Sequence, residues 1–147
     1  MSKDEEIAMY KNMVKLYKFD FLTGLKTRYD FIKETKHKMQ SQMFYLMMTD
    51  ITGLHAVNRD PKKGYEFGDM LIKKVANDLK HIEYQWETYR LGGDEFMTIL
   101  FEKPDIEIDS ATSACVFSGD FLTLEEAIKA VDTLVTKKKI LLDRRRK

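Results

Sequence analysis

Apolar residues recur along this chain with two different periods, and the changes of period mark the predicted elements. Apolar side chains spaced three and four positions apart predict amphipathic helices, whereas short apolar runs between turn residues predict strands. Helices are predicted over residues 4–18, 28–39, 67–81 and 123–142, and strands over residues 44–49, 84–91, 96–101 and 110–117. Thr123 and Glu126 resemble a capping box, which indicates where the last helix begins.

The order of these elements predicts the fold class. After two helices the chain continues as strand, helix, hairpin, strand and helix, which is a split βαβ arrangement. We therefore expect an α+β fold with a palm-like or ferredoxin-like antiparallel sheet and flanking helices. The run 44–49 is apolar throughout, so it is expected to be a central strand that ends at Asp50. Gly53 and Pro61 break the following stretch, which is expected to be irregular or short-helical.

The hairpin carries the most informative chemistry, because two glycines lead directly into two acids at its tip. Glycine has no Cβ, so a bulky anionic ligand can approach the backbone at Gly92 and Gly93 closely. Adjacent carboxylates repel each other, and they become useful when a divalent cation neutralises them. In a split βαβ sheet the first strand lies beside the hairpin, which brings Asp50 towards Asp94 and Glu95. The sequence therefore predicts metal-dependent phosphate chemistry at a two-metal site.

Composition and charge narrow the class of protein. The chain has 147 residues, 44% of them apolar and 33% charged, which is ordinary for one globular domain. A net charge of +1 argues against bulk electrostatic binding to DNA or RNA. The single cysteine, Cys115, cannot form an internal disulfide, and we expect a buried thiol in a reducing, cytoplasmic compartment. The charged N-terminus predicts no signal peptide, and no apolar run is long enough for a membrane span.

Three separate segments, in the right order, resemble the GGDEF domains, which are bacterial diguanylate cyclases with a palm-like polymerase fold. Residues 20–28 (DFLTGLKTR) are similar to the family's D-x-L-T-G-L-x-N-R opening. Asp50-Ile51, Asn58 and residues 64–69 (GYEFGD) are similar to its D-I-D-x-F-K-x-x-N-D and G-H-x-x-G-D segments. Residues 90–96 (RLGGDEF) match its signature completely. By this resemblance, residues 1–18 form a dimerisation or signal helix and residues 19–147 a GGDEF-like catalytic domain.

The resemblance implies a reaction in which two GTP molecules become cyclic di-GMP and two pyrophosphates, with Mg²⁺ or Mn²⁺, at a homodimer interface. Asp50 and the carbonyl of Ile51 would bind the metal. Asp94 and Glu95 would share metal binding and activation of the 3′-hydroxyl, and the division between them stays open. The residues expected to contact substrate are Asn58 and Asp69 on the guanine, together with Gly53, Leu54, Gly92, Gly93 and Lys139.

The chain also departs from the family pattern. Thr52 replaces the second aspartate of D-I-D, and Leu54-His55 replaces F-K, so a lysine near the phosphates is missing. Two extra residues precede Gly64. The feedback motif R-x-x-D would fall on residues 83–86 (EYQW), so we expect no product inhibition there. Lys139 falls on the family's phosphate lysine, although a basic helix end that the helix dipole favours is the alternative interpretation.

The family helix that follows the hairpin is expected to be deleted, because only residues 102–109 separate the hairpin from the next strand. One sheet face then needs a cover, either the N-terminal helix or a second subunit. In the first motif, Asp20 is expected to cap its turn and Arg28 to pair with a nearby acid. Two rival functions remain: a GGDEF-fold module that binds GTP or a protein partner without catalysis, and a minimal cyclase that makes another nucleotide.

Overall fold

The computed structural model describes residues 1–62 and 64–146, and both helices and strands follow the predicted order. The helices are α1 (Lys3–Lys18), α2 (Arg28–Met39), α3 (Leu54–Arg59), α4 (Gly64–Lys80) and α5 (Leu124–Arg146). The strands are β1 (Lys26–Thr27), β2 (Tyr45–Ile51), β3 (Gln85–Arg90), β4 (Glu95–Leu100) and β5 (Ala111–Phe117). The predicted α+β class is confirmed.

The strands form one sheet in the order β1-β3-β4-β2-β5, which makes β2 a central strand. β2 runs antiparallel to both β4 and β5, and Asp50 lies opposite Glu95 on one side and Thr112 on the other. The prediction that the strand ends at Asp50 is wrong by one residue, since β2 continues to Ile51. Asp50 is therefore held by strand neighbours on both sides, which fixes its position more firmly than a strand end would.

Helices cover both faces of the sheet, and the alternation of side chains along β2 assigns each residue to a face. Met47 and Ile51 belong to one buried cluster, with the α4 residues Ile72, Val75, Ala76 and Leu79. Leu46 and Met48 belong to the other, with Phe31 of α2 and the α5 residues Leu124, Ala127, Val131 and Val135. Asp50 follows Leu46 and Met48 at intervals of two, so it falls on the α5 side of the sheet. The sheet thus presents its acidic end to α5.

The start of α5 agrees with the capping box, with one small difference. The backbone N–H of Glu126 donates to Thr123 Oγ1 at 3.2 Å, as such a box requires. The Glu126 carboxylate accepts from the backbone N–H of Leu122 at 3.3 Å, one residue before the position expected. The helix also runs further than predicted, to Arg146, because the lysines and arginines near its end are good helix formers.

The segment between β4 and β5 contains no helix, and it covers part of the sheet itself. Ile108 is 6% exposed and packs in the cluster of Ile72 and Val75. Of the two covers expected for this face, the N-terminal helix or a second subunit, the first is wrong, because α1 leaves its apolar side chains exposed. These are Ile7, Tyr10, Met13 and Val14, each at least 44% exposed, while the predicted fifth member, the Tyr17 side chain, lies outside the described residues.

Cys115 is half-buried in β5, which is less than the full burial predicted. Burial raises the pKa of its thiol to about 11, so the reactive thiolate is scarce at neutral pH. A packing role for this cysteine agrees with that environment. Across the described chain, no helix combines the length and the apolar character that crossing a lipid bilayer needs.

Candidate functional site

The ends of β2 and β4 bring three acidic side chains together. Asp50 lies opposite Glu95 in the strand register, and Asp94 directly precedes Glu95 in the hairpin turn. The backbone N–H of Ile51 donates to the Asp94 carbonyl at 2.9 Å, which ties the turn to the end of β2. One carboxylate oxygen from each of the three acids lies within 4.8 Å of the other two. The convergence that the sequence predicted is present in the fold.

The electrostatics of this acidic cluster (Asp50, Asp94 and Glu95) favour an added positive charge. Burial raises the pKa of Asp50; the bond from Lys139 opposes that effect, and the neighbouring charge of Asp94 adds to it, so the net shift is upward. Burial also raises the pKa of Glu95, as do the charges of Asp50 and Asp94. A raised carboxyl pKa means that the surroundings of the carboxylate compensate its negative charge poorly. A cation among them would remove that penalty.

The residues of the cluster fit a divalent cation. Asp50 is 6% exposed, and its Oδ1 is buried without a hydrogen-bond partner. An unsatisfied buried acceptor costs about 1–3 kcal/mol, so native proteins rarely keep one that has no further use. Carboxylate and carbonyl oxygens are the ligands that Mg²⁺ and Mn²⁺ prefer. The donor set and the unpaired oxygen together make the cluster a candidate metal site.

A cleft of about 210 Å³ adjoins the cluster. Its lining includes Gly53 and Leu54 at the start of α3, Asp94 of the hairpin turn and Lys139 of α5. Gly53 has a φ of 70°, which L side chains rarely adopt, so glycine is required at this turn. Pockets for whole drug-sized ligands measure about 300–1,000 Å³. This cleft therefore suits a group the size of a phosphate chain, and the rest of a nucleotide would have to lie outside it.

Asn58 and Asp69, the residues expected at the guanine, are brought together by the contact between α3 and α4. A Cβ placed on Gly68 would collide with Asn58 Oδ1, so the Asn58 side chain packs directly on the backbone that precedes Asp69. The two extra residues before Gly64 do not separate the pair. Asp69 is exposed, and Leu54, one turn before Asn58, lines the cleft. A path therefore leads from the acidic cluster along α3 to both residues.

The turn itself does not need its glycines for folding. Neither Gly92 nor Gly93 has a left-handed φ, and a Cβ on either would meet no heavy atom within 4 Å. Their carbonyls are fixed instead by Arg90, whose Nε donates to Gly92 at 3.1 Å and whose Nη2 donates to Gly93 at 3.0 Å. The open space beside the two glycines supports the prediction that they make room for a ligand.

Arg90 also connects the turn to the first motif, which the sequence did not reveal. Its Nη1 donates to both carboxylate oxygens of Asp20, at 2.9 and 3.0 Å. Asp20 Oδ2 accepts from the Thr23 backbone at 2.8 Å and from the Thr23 hydroxyl at 2.7 Å, which confirms its predicted capping role. The prediction for Arg28 is wrong, since no ion pair within residues 1–62 and 64–146 includes it. Arg90, at the end of β3, is instead the arginine that pairs with an acid of this motif, Asp20.

Replacing Asp20 with asparagine should lower the free energy of unfolding by about 1–3 kcal/mol at neutral pH, because Arg90 loses a charged partner. Burial raises the pKa of Asp20, but its bonds from Thr23 and Arg90 outweigh that effect and the net shift is downward. A lowered carboxyl pKa stabilises the fold above the unfolded value of about 3.9, and this stabilisation is lost as the pH falls through the folded value. Urea unfolding across that range should therefore show the deficit shrinking below about pH 4.

Asp105→Asn is the matched control, because Asp105 is exposed. It should change the free energy of unfolding little at any pH. A deficit in Asp20→Asn that is equally large at acid and neutral pH would show that the charge on Asp20 is not what stabilises the turn.

Two further groups on α5 face the cluster. Lys139 Nζ lies 2.5 Å from Asp50 Oδ2, and the charge of Asp132 contributes to the raised pKa of Glu95. Positions 132 and 139 are seven apart, which is two helical turns, so they share one face of α5. That spacing was the available signal for Asp132, to which the sequence alone assigned no function. Lys139 was expected at a phosphate, and the structure places it on an acid.

The amino-acid sequence of this chain is similar to a known family and to a known protein. A family model described as diguanylate cyclase, GGDEF domain, matches residues 17–117. An uncharacterized membrane protein of Staphylococcus saprophyticus is 33% identical over 91 residues, which are 58% of this chain and 25% of that protein. This chain therefore spans about a quarter of the length of that relative.

Solved structures share the fold at low sequence identity. The S helix-GGDEF-EAL form of LapD from Vibrio cholerae, bound to c-di-GMP, has a TM-score of 0.71 at 15% identity and covers 94% of this chain and 38% of that one. The coiled coil and GGDEF domain of DgcB from Caulobacter crescentus, in complex with c-di-GMP, has a TM-score of 0.70 at 16% identity. The match covers 92% of this chain and 87% of that one. The diguanylate cyclase SiaD from Pseudomonas aeruginosa, in complex with its activator SiaC, has a TM-score of 0.65 at 19% identity. The match covers 93% of this chain and 64% of that one.

Proposed function

Because this chain belongs to the GGDEF family of diguanylate cyclase domains, we propose that it condenses two GTP molecules into cyclic di-GMP and two pyrophosphates. The observation that carries the proposal is the cluster of Asp50, Asp94 and Glu95, whose oxygens lie within 4.8 Å of one another. The unpaired, buried Asp50 Oδ1 adds a second, independent reason to expect a cation there. A bound Mg²⁺ or Mn²⁺ would neutralise triphosphate charge and favour ionisation of the attacking hydroxyl.

The three acids take different roles in this proposal. Asp50 is fixed by strand neighbours and buried, so it is the anchoring metal ligand, with the Ile51 carbonyl beside it. Asp94 supplies a second carboxylate from the turn. Glu95, whose pKa is raised by burial and by its like-charged neighbours, is the proposed acceptor for the proton of the 3′-hydroxyl. A general base works best when its pKa lies near the operating pH.

Asn58 and Asp69 give the proposed preference for guanine. A carboxylate accepts hydrogen bonds from N1–H and the 2-amino group, which adenine does not offer in that arrangement, and an amide meets the N3 and amino edge. The packing of Asn58 on Gly68 keeps the amide and the Asp69 carboxylate near each other. A purine edge could therefore engage both residues while its phosphates lie in the cleft beside Gly53 and Leu54.

The product requires two GTP molecules, and one domain is proposed to hold one of them. Two copies must then face each other, so that each 3′-hydroxyl reaches the α-phosphate held by the partner. The exposed apolar side chains of α1, which include Ile7, Tyr10 and Val14, support a helix-to-helix contact that would bring two copies together. We propose residues 1–18 as that dimerisation helix and residues 19–147 as the catalytic domain.

A GTP-binding module without catalysis is the second candidate, and one observation favours it. Thr52, which takes the place of the family's second aspartate, lines the cleft, and its side chain can offer a metal a hydroxyl but no carboxylate. A metal site with one carboxylate fewer binds its cation more weakly, because ligand charge sets much of the affinity for hard cations. Guanine recognition does not depend on that position and would survive.

The products formed from nucleoside triphosphates distinguish these functions. The protein is incubated with Mg²⁺ and each of the common triphosphates separately, and the products are identified by mass. Cyclic di-GMP from GTP alone is the expected result, and it should disappear in Asp94→Ala. GTP binding without pyrophosphate release would favour the non-catalytic module, and a different cyclic nucleotide would favour the minimal cyclase.

A further inference from the structure

Lys139 reaches from α5 across the cleft to the acidic cluster. Its Nζ lies 2.5 Å from Asp50 Oδ2, and the lysine side chain is 39% exposed whereas the aspartate side chain is 8% exposed. The neighbouring Lys138 points elsewhere and donates to the Ser113 carbonyl at 2.9 Å. Among the ion pairs of the described residues, the cluster is therefore joined to α5 through a single lysine.

The two ends of this ion pair differ in how freely they can move. Asp50 is paired on both sides within the sheet and cannot leave its place without breaking strand hydrogen bonds. Lys139 has a flexible four-carbon stem, is partly in solvent and lines the cleft proposed for phosphates. If either partner moves, it is the lysine.

A divalent cation and an ammonium group compete for the same carboxylate. Carboxylate oxygens bind Mg²⁺ at about 2.1 Å, so a cation on Asp50 would lie only a few ångströms from Nζ at its present position. Like charges at such distances repel strongly in a partly buried site. The triphosphate, with several negative charges, offers the displaced ammonium a new partner in the cleft that Lys139 already lines.

We propose that Lys139 is an exchangeable counter-ion: its ammonium holds Asp50 until a divalent cation arrives, and then transfers to the triphosphate. This inference rests on the proposed function and deepens it. The lysine weakens binding of the metal alone and strengthens binding of the metal together with nucleotide. The same side chain therefore has effects of opposite sign on two binding constants, which a simple phosphate clamp would not produce.

Lys139→Met tests the exchange, because methionine keeps the unbranched shape, most of the length and the helix propensity but removes the charge. Mn²⁺ binding is followed by electron paramagnetic resonance in the absence of nucleotide, where we expect about tenfold tighter binding in the variant, equivalent to about 1.4 kcal/mol. Binding of a non-hydrolysable GTP analogue with Mg²⁺, followed by calorimetry, should be about tenfold weaker. Lys138→Met is the matched control and should leave both constants at the wild-type values.

The wild-type chain gives a second test that does not depend on a variant folding. With ¹³C-dimethylated lysines, the Lys139 signal should shift when Mg²⁺ is added, whereas the Lys138 signal should not. If wild type binds Mn²⁺ and the analogue, and Lys139→Met leaves both constants unchanged, the exchange is overturned and the proposed function stands. If wild type binds neither, the proposed function fails and the exchange fails with it.

Discussion

Replacing Asp50 with asparagine should reduce cyclic di-GMP formation by about a thousandfold, equivalent to about 4 kcal/mol of transition-state stabilisation. The amide is isosteric but cannot carry the negative charge that anchors the cation. Folding should not suffer, because the raised pKa of Asp50 means that the folded state favours the neutral form of this side chain. Product formation by mass and unfolding by urea, measured on the same preparation, separate these two effects.

Asp109→Asn is the control for the loss of one acidic charge. Asp109 pairs with Lys74 at 2.8 Å and its side chain is 82% exposed, so the substitution should change neither product formation nor folding much. Unchanged product formation in Asp50→Asn would contradict the proposed metal site. A large drop in its unfolding free energy would instead show that Asp50 serves the fold.

Gly92→Ala and Gly93→Ala should each weaken GTP binding by at least about tenfold without destabilising the protein. Neither residue has a left-handed φ, and neither Cβ would meet an atom of the chain. The alanines should therefore fold as well as the glycines, and could gain about 0.4–1 kcal/mol by restricting the unfolded chain. They would, however, place a methyl group where the ligand is proposed to approach the backbone. Calorimetric GTP titrations and urea unfolding give the two quantities.

Gly24→Ala is the informative control, because its expected effects on stability and on GTP binding are the reverse of those at Gly92 and Gly93. Gly24 has a φ of 72°, so alanine there is strained and should cost about 1 kcal/mol of stability while GTP binding stays unchanged. If both hairpin alanines bind GTP as tightly as wild type, the glycines do not line a nucleotide site.

The elements that the sequence predicted well are those whose evidence is local. The bounds of α2 agree with the prediction, since its apolar spacing and its polar ends lie in one short stretch. The meeting of Asp50 with Asp94 and Glu95 was also predictable, because a split βαβ topology fixes which strand lies beside the hairpin. Strand β1 was missed because two residues carry no periodicity, and only their pairing with Tyr89 and Arg90 defines them.

The features that escaped prediction depend on contacts between distant segments. The bond from Arg90 to Asp20 joins residues seventy positions apart, and no pattern within either motif indicates it. The contact of Lys139 with Asp50 depends on how α5 packs on the sheet, which its repeat of apolar residues does not determine. The exposure of the apolar side of α1 has the same origin, since amphipathicity predicts that a helix has a partner but does not identify it.

The proposed reaction requires a divalent cation among Asp50, Asp94 and Glu95. Crystals grown with Mn²⁺ and a non-hydrolysable GTP analogue would locate the metal by its anomalous scattering. We expect a peak about 2 Å from an oxygen of Asp50 and from an oxygen of Asp94 or Glu95, with the triphosphate beside it. A structure in which the nucleotide is bound but no metal contacts Asp50 would contradict the proposed metal-dependent reaction.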